Sequence, residues 1–151
     1  MLGRPDTSSA VDDEIQDAVR LLTSKPEFRN ITLADLLPIL RTATRRTFAN
    51  GATLMEHGRH SDSLHLMLKG RARIARTYGL ERPKVLAEVG AGDLVGEMGS
   101  FSGVARSATV TAVGEVQTLE LTERKLQRVL RHDHPLMVAL VRVMNERYKA
   151  T

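Results

Sequence analysis

The central part of this 151-residue chain has a strand-like hydrophobic pattern, and that pattern constrains the fold more than any other feature. From Arg45 onward, short apolar and β-branched segments alternate with Gly, Asp and Asn. Leu64 and Leu66 lie two residues apart, which predicts a strand with one covered face and places His65 on the solvent side. Several short strands at this spacing predict a barrel or jelly roll. The predicted strands are Arg45–Phe48, Thr53–Met55, Ser63–Lys69, Arg71–Thr77, Lys84–Val89, Ser107–Ala112 and Val116–Leu121.

Helical periodicity precedes these segments. Apolar residues recur on one face from about Ser9 to Ser24, which predicts an amphipathic helix. Thr32 with Asp35 three residues later predicts the N-terminus of a second helix. Pro38 is expected to shorten or kink that helix, because proline cannot continue the backbone hydrogen bonds.

Helical periodicity also follows the segments. Thr122 is the predicted cap of a helix that reaches about His132, and His134-Pro135 begins another. The predicted inward stripes are Leu126, Val129 and Leu130, then Leu136, Leu140, Val143 and Met144. The predicted fold is therefore α+β, an antiparallel β-roll of the jelly-roll-like barrel type with flanking N- and C-terminal helices.

The residues from Gly96 to Ala112 carry the chemistry of the chain. Gly96 permits a positive φ or a close backbone approach, and the segment after it can form about one helical turn. Free amides at the start of such a turn attract an anion, and Arg106 adds a planar guanidinium that matches two phosphate oxygens. Glu97 accepts hydrogen bonds only and suits a sugar hydroxyl. The acid and the arginine together predict a ligand with a ribose and a phosphate.

This stretch resembles the phosphate-binding cassette of the cyclic-nucleotide-binding domain family. Gly96-Glu97 and Arg106-Ser107-Ala108-Thr109 match the family pattern residue for residue. Gly90-Ala91-Gly92-Asp93 matches the turn that the family places before the cassette, and the resemblance extends over roughly Phe28 to Tyr148. The family includes catabolite-activator-type bacterial regulators, regulatory subunits of the cyclic-AMP-dependent kinase and cyclic-nucleotide-gated channels. The resemblance implies a non-catalytic regulatory domain with its ligand inside the β-roll.

The resemblance also implies the roles of individual residues. It assigns Arg106 to the cyclic phosphate, Ser107 to a phosphate oxygen and Glu97 to the ribose 2′-hydroxyl. The residue after the arginine is Ser rather than Thr, which in this family favours cyclic AMP over cyclic GMP. No cofactor other than this ligand is expected. The predicted ligand-binding residues are Gly96, Glu97, Met98, Gly99, Arg106 and Ser107.

The implied organisation has two parts, an N-terminal tail and helix over residues 1–27 and a binding domain over residues 28–151. Phosphate capture is expected to draw the cassette inward, so that apolar residues such as Phe101 repack against the C-terminal helices.

In the family the last helix often covers the purine, and in activator-type proteins a DNA-binding helix-turn-helix follows, whereas this chain stops at Thr151. Three explanations remain open: the lid is short, the lid comes from a partner, or the chain is a piece of a larger protein. Two other hypotheses are a ligand-independent docking or dimerisation module and the sensor half of a transcription regulator.

A metal-dependent jelly roll of the cupin type is the main enzymatic alternative. His57 falls on the cupin frame, but Arg59 and Ser63 stand where the second histidine and the glutamate would be. His60 and His65 are near, yet they do not restore the ligand set, so no metal site is predicted. No serine has a histidine at the spacing of a nucleophile–base motif, so no catalysis is predicted.

Composition sets the remaining expectations. The formal charge of +4 fits a basic surface or attraction for a small anion, and no direct nucleic-acid binding is predicted. The absence of cysteine excludes a disulfide framework and a cysteine zinc site. No apolar run approaches the ~18 residues of a membrane span, and the first residues have no hydrophobic signal region. We therefore expect a cytoplasmic protein that binds a cyclic nucleotide and contacts either a second copy of itself or an effector domain.

Overall fold

The computed structural model describes residues 5–55, 63–76, 82, 84–96, 108–129, 134–139 and 142, and of residues 5–12 the backbone alone. Six antiparallel strands with flanking helices confirm the predicted α+β class and β-roll. Residues 135–139 are also helical. The other elements in chain order are α1 (Pro5–Thr23), a 3-10 turn (Pro26–Phe28), α2 (Leu33–Leu40), β1 (Thr44–Phe48), β2 (Thr53–Met55), β3 (Ser63–Arg76), β4 (Lys84–Val89), β5 (Leu94–Gly96), β6 (Thr109–Thr122) and α3 (Glu123–Val129).

The strands form two halves that share the long strands β3 and β6. In the first half, β1 pairs with the C-terminal part of β6, and β5 pairs with the N-terminal part of β3. In the second half, β2 pairs with the N-terminal part of β6, and β4 pairs with the C-terminal part of β3. The roll is therefore built around one central β3–β6 pair, and each shorter strand is attached to a particular end of it.

Glycines bend the two long strands at positions where the sequence predicts breaks. The strands predicted on either side of Gly70 are one strand, and the two predicted within β6 are also one. Gly70 has a φ of +90°, and a Cβ there would lie 2.2 Å from the Glu115 carbonyl oxygen. Gly114 has a φ of +78°. The prediction of separate strands is wrong, because glycine at these positions turns the strand without ending its pairing.

Alternate residues of β3 enter two different hydrophobic clusters. Leu64, Leu66 and Leu68 belong to a cluster between the sheet and the helices, which also contains Phe28 and Leu126. Residues on the opposite face of β3 belong to the cluster that fills the roll. The members of this inner cluster are Met55, Met67, Ala72, Ile74, Val89, Val95, Ala108, Val110, Ala112 and Val116. Residues 64–68 of β3 are therefore covered on both faces, whereas Arg71 and Arg73 farther along the strand are exposed.

The covering of residues 64–68 of β3 on both faces overturns one expectation. The predicted solvent orientation of His65 is wrong, since only 4% of its surface is exposed. An alternating pattern predicts a solvent face only where nothing packs against that face. Lys69, farther along the same strand, is exposed, because none of the described residues packs against that face there.

The helix boundaries follow the expected caps in two of three cases. Thr32 Oγ1 accepts a hydrogen bond from Asp35 N (3.2 Å) and Asp35 Oδ2 accepts one from Thr32 N (3.2 Å), a reciprocal capping box. α2 ends at Leu40, so it is short, as Pro38 predicts. Thr122 Oγ1 accepts a hydrogen bond from Lys125 N (3.2 Å) at the start of α3. α1 begins at residue 5 rather than residue 9, because proline suits the first helical position.

The C-terminal stripes are confirmed in part. Leu126 and Leu136 are buried, whereas Val129 is 38% exposed, so its predicted inward orientation is wrong. Met137 and Ala139 are buried as well, although neither belongs to a predicted stripe. Leu130, Leu140, Val143 and Met144 lie outside the described residues.

Candidate functional site

Gly96 is the one predicted ligand-binding residue whose position the structure describes. It ends β5 with a φ of +140°, and a Cβ on it would lie 2.2 Å from the Ser63 carbonyl oxygen. The expectation that this position needs glycine is confirmed, because no other residue fits both the backbone angle and the close approach. The other five predicted residues, Glu97, Met98, Gly99, Arg106 and Ser107, lie outside the described residues.

The structure fixes the two points between which those five residues lie. The described chain stops at Gly96, which pairs with Leu64 near the start of β3. It resumes at Ala108, and the next residue, Thr109, pairs with Ala75 near the end of β3. Residues 97–107 therefore join one end of the central strand to the other, and the acid and the arginine both belong to this connection.

The turn before β5 is held in place from two sides. Gly92 N donates to the Met67 carbonyl oxygen (2.8 Å), and Met67 N donates to the Asp93 carbonyl oxygen (2.8 Å). Asp93 Oδ2 accepts from Gly90 N (2.9 Å), and Lys25 Nζ donates to Asp93 Oδ1 (2.8 Å). The strand that leads to Gly96 therefore starts from a turn fixed to both β3 and the segment after α1.

The inside of the roll is apolar beside this frame. Ile74, Val95 and Val110 are buried there, and Leu86 and Ala87 of β4 pack against them while half-buried. Ligand sites are usually concave apolar surfaces with a few polar groups that fix orientation. An apolar wall of this kind suits the faces of a heterocyclic base, while the charged groups of residues 97–107 suit a sugar and a phosphate.

Sequence reasoning missed a polar cluster at the end of the roll next to β5. His65 Nδ1 lies 2.9 Å from Thr118 Oγ1, and both residues are buried. His65 Nε2 lies 3.9 Å from Glu120 Oε2, and Arg46 Nη1 donates to Glu120 Oε1 (2.9 Å). The Phe48 ring meets the imidazole edge to face at 5.7 Å. We call these five residues the His65 cluster; its only sequence signal is a histidine within an alternating strand.

The cluster shifts two pKa values. Burial is the largest influence on His65 and lowers its pKa; Glu120 opposes this shift and Arg46 adds to it. For Glu120 the largest single influence, burial, raises the pKa. That influence is outweighed by a hydrogen bond from Ser63 and by the charges of His65 and Arg46, so the pKa of Glu120 is lowered. At neutral pH the cluster therefore holds a neutral imidazole beside an ionised carboxylate.

Comparison with known proteins identifies the fold around this frame. The family model described as "Cyclic nucleotide-binding domain" matches residues 45–133, which include both the acid at position 97 and the arginine at position 106. The chain belongs to the cyclic nucleotide-binding domain family. The predicted resemblance is thereby confirmed, and the matched region runs from β1 through α3.

Individual relatives of this domain belong to different kinds of protein. A cyclic nucleotide-gated potassium channel of Rhizobium etli is 36% identical over 109 residues, which are 70% of this chain and 29% of the channel. The N-terminal domain of a transcriptional regulator from Streptomyces coelicolor is 30% identical, with a TM-score of 0.67, over 85% of this chain and 92% of that one. The catabolite activator protein of Thermus thermophilus is 28% identical, with a TM-score of 0.65, over 78% of this chain and 57% of that one.

The domain is thus a regulatory cyclic nucleotide-binding domain that spans less than a third of the channel it resembles. Within the described ranges, no helix combines the length and the hydropathy needed to cross a bilayer. In the same ranges, which leave out His57 and His60, no group of three potential metal-ligating side chains occurs.

Proposed function

We propose that this domain binds a 3′,5′-cyclic nucleotide without chemical turnover and passes the binding signal to an effector. The observation that carries the proposal is the presence of both Glu97 and Arg106 in the family-matched region. A hydrogen-bond acceptor for the sugar and a cation for the phosphate are thus both present on the same short connection, as a ligand with a ribose and a phosphate requires. The glycine frame at Gly96 supports the proposal, because it brings the start of that connection against β3.

Each of the six proposed ligand-binding residues has a separate role. Arg106 binds two oxygens of the cyclic phosphate through a planar fork, and Ser107 donates to a phosphate oxygen through its hydroxyl or amide. Glu97 accepts from the ribose 2′-hydroxyl. The remaining residues, Gly96, Met98 and Gly99, shape the connection and supply backbone amides.

The preferred ligand is cyclic AMP. Ser107 follows the arginine, whereas threonine at that position would favour cyclic GMP. The apolar surface of Ile74, Leu86 and Ala87 accepts either purine face, so we expect a preference between the two nucleotides and not exclusion of one.

The signal leaves through the C-terminal helices. α3 begins at Glu123, directly after β6, and Leu126 is packed into the cluster between sheet and helices. Residues 135–139 contribute Leu136, Met137 and Ala139 to the same cluster. A ligand shifts this packing only to the extent that it binds one arrangement more tightly than the other.

Calorimetric titration tests the proposal. The domain is titrated with cyclic AMP, cyclic GMP and 5′-AMP, and we expect affinity to be highest for cyclic AMP, lower for cyclic GMP and lowest for 5′-AMP. Arg106→Ala should weaken binding of both cyclic nucleotides ten- to over a hundredfold, whereas Arg124→Ala, at an exposed position on α3, should leave binding unchanged. Absence of heat with either cyclic nucleotide up to millimolar concentration would leave the ligand-independent docking or dimerisation module as the function.

Further proposals concern the rest of the protein. We infer that the cyclic nucleotide is released unchanged, so chromatography of a long incubation should show no 5′-monophosphate. We also infer that residues 28–151 form the binding unit with residues 1–27 as a tail and helix, that the protein is cytoplasmic, and that a homodimer or effector domain receives the signal.

The sensor half of a transcription regulator is a second candidate. The observation in its favour is the 30% identity to an N-terminal domain from a transcriptional regulator, of which 92% is covered. In that case DNA contact belongs to another part of the protein and not to this chain. The reading frame downstream of codon 151 tests it, because a helix-turn-helix within the next ~80 residues would support this candidate and a different effector would exclude it.

A further inference from the structure

The His65 cluster lies directly beside the strand that leads into the ligand-binding connection. His65 pairs in register with Val95, and its neighbour Leu64 pairs with Gly96. On its other side His65 pairs with Glu120 of β6. β5 is only three residues long, so these few pairings with β3, together with the fixed turn at Gly92 and Asp93, hold Gly96 in position.

Within the described ranges, two charged side chains face the imidazole of His65. From β6 comes the Glu120 carboxylate, at 3.9 Å from Nε2. From β1 comes Arg46, which is bound to that carboxylate and lies 5.8 Å from the centre of the Phe48 ring. β5, which consists of Leu94, Val95 and Gly96, has no titratable side chain. The surroundings are thus one anion, one cation already paired with it, and apolar groups.

A neutral imidazole at His65 fits these surroundings. It has one ring nitrogen that accepts and one that donates, and the Thr118 hydroxyl can serve either at 2.9 Å from Nδ1. Burial lowers the pKa of His65, which favours this neutral form. Thr118 is completely buried and Phe48 packs on the ring, so the neutral side chain completes the packing between β3, β6 and β1.

A protonated imidazole at His65 does not fit these surroundings. Both ring nitrogens then donate, and the Glu120 carboxylate at 3.9 Å is too far for a hydrogen bond unless one of the two side chains or its strand moves. The new charge is largely buried, and Glu120, which already binds Arg46, compensates it only in part, so conformations in which water reaches the ring are favoured. The strand that yields is β5, because its three pairings are all with β3 at Leu64, His65 and Leu66, so a shift of β3 at His65 acts on it directly.

We propose that His65 is a proton-sensing positioning residue for the ligand site: when neutral it supports β5 and Gly96, and when protonated it releases them. This inference rests on the proposed function, because it gives the released strand a consequence for cyclic nucleotide binding. Apparent affinity falls in proportion to the fraction of molecules that keep the competent arrangement. Acidification therefore weakens binding through the strand that leads to the ligand site.

The sign of the effect follows from linkage. A histidine whose folded-state pKa is lowered contributes stability that is present above its ordinary pKa of 6.5 and is lost as the pH falls through the folded-state value. One proton is involved, so affinity changes by at most about tenfold per pH unit. We expect affinity to decrease between pH 7.5 and pH 5.0, by at most about thirtyfold, which is the limit for one proton that binds the released state with the ordinary pKa of 6.5.

Two arms test the inference with the whole chain. In the first, without ligand, hydrogen exchange of the amides in residues 63–66 and 94–96 is measured at several pH values and corrected for intrinsic exchange. We expect protection to fall on acidification in the parent and in His134→Gln, but not in His65→Gln, which keeps a neutral polar group beside Thr118. In the second arm cyclic AMP is titrated at pH 7.5 and 5.0 with the same three proteins, and only His65→Gln should lose the difference.

The outcomes separate this inference from the proposed function. If none of the three proteins binds cyclic AMP at pH 7.5, the proposed function is wrong. The hydrogen-exchange arm without ligand still decides whether protonation of His65 controls β5. Binding at pH 7.5 with equal affinity at pH 5.0 in the parent overturns the inference alone. If His65→Gln fails to fold, the imidazole resonances of the parent decide: a His65 that titrates at or above 6.5 contradicts the inference.

Discussion

Replacement of Gly96 by alanine isolates the backbone requirement at the start of the ligand-binding connection. The φ of +140° lies outside the region that L-residues adopt, which costs about 1–3 kcal/mol. The new Cβ would also lie 2.2 Å from the Ser63 carbonyl oxygen and 2.8 Å from the Leu64 Cα. Both contacts are with backbone, so β5 must move away from β3 and lose one or two hydrogen bonds, at about 0.5–1.5 kcal/mol each. The expected total is a loss of about 1.5–6 kcal/mol.

Gly51→Ala provides a matched control. Gly51 also has a positive φ, +83°, but a Cβ there would meet nothing within 4 Å. Only the backbone cost applies, about 1–2 kcal/mol. Urea unfolding of the parent and both variants at pH 7.5 measures the difference, with equal m-values as the check on two-state behaviour. If Gly96→Ala is no less stable than Gly51→Ala, the close packing of β5 against β3 does not contribute, and the argument from that packing fails.

Three further perturbations test separate parts of the structure. Arg106→Ala should reduce cyclic nucleotide affinity ten- to over a hundredfold, a loss of about 1.5–3 kcal/mol, and Arg106→Lys should restore little of it in the same titration; parent-like binding would exclude the assigned role. Glu120→Gln should have a smaller free energy of unfolding than the parent at pH 7. The difference should narrow as the pH falls below 4.5, because the pKa of Glu120 is lowered and the stability that its ionised carboxylate contributes is lost in that range. A difference in unfolding free energy that stays constant in acid would contradict this. Leu126→Ala, at a fully buried position, should cost about 2–5 kcal/mol in urea unfolding, whereas Val129→Ala should cost under about 1 kcal/mol; equal losses would mean that α3 packs differently.

Features that depend on local chemistry could be predicted from the sequence. The caps at Thr32 and Thr122 and the special backbone at Gly96 follow from properties of single residues and their near neighbours. The alternation of short segments was sufficient for the β-roll, and the cassette pattern was sufficient for the family. Each of these inferences uses only residues that are close together in the chain.

Features that depend on which surfaces meet could not be predicted. The environment of His65 is the main example, because its side of β3 is buried only when β1, β5 and β6 assemble around it. Gly70 is another, since the same residue marks a turn between strands or a bend within one strand depending on the partner opposite. Val129 follows Leu126 on the helical stripe, yet α3 leaves it 38% exposed where the cluster beneath the helix ends.

The attachment of the ligand-binding connection to β3 limits where a signal can go. Both ends of residues 97–107 are held by that strand, through Leu64 at one end and Ala75 at the other. β3 contributes buried residues to both hydrophobic clusters and is paired along most of its length with β6, so we expect it to keep its position. A change in the connection can therefore be accommodated only at elements outside this central pair. α3 follows β6 without an intervening loop and is bound to the N-terminal region through Lys125 Nζ and the Thr42 carbonyl oxygen (2.8 Å). We expect ligand-induced changes in hydrogen exchange at α3 and residues 134–139 with none in the centre of β3; the reverse pattern would mean that the central pair is not rigid.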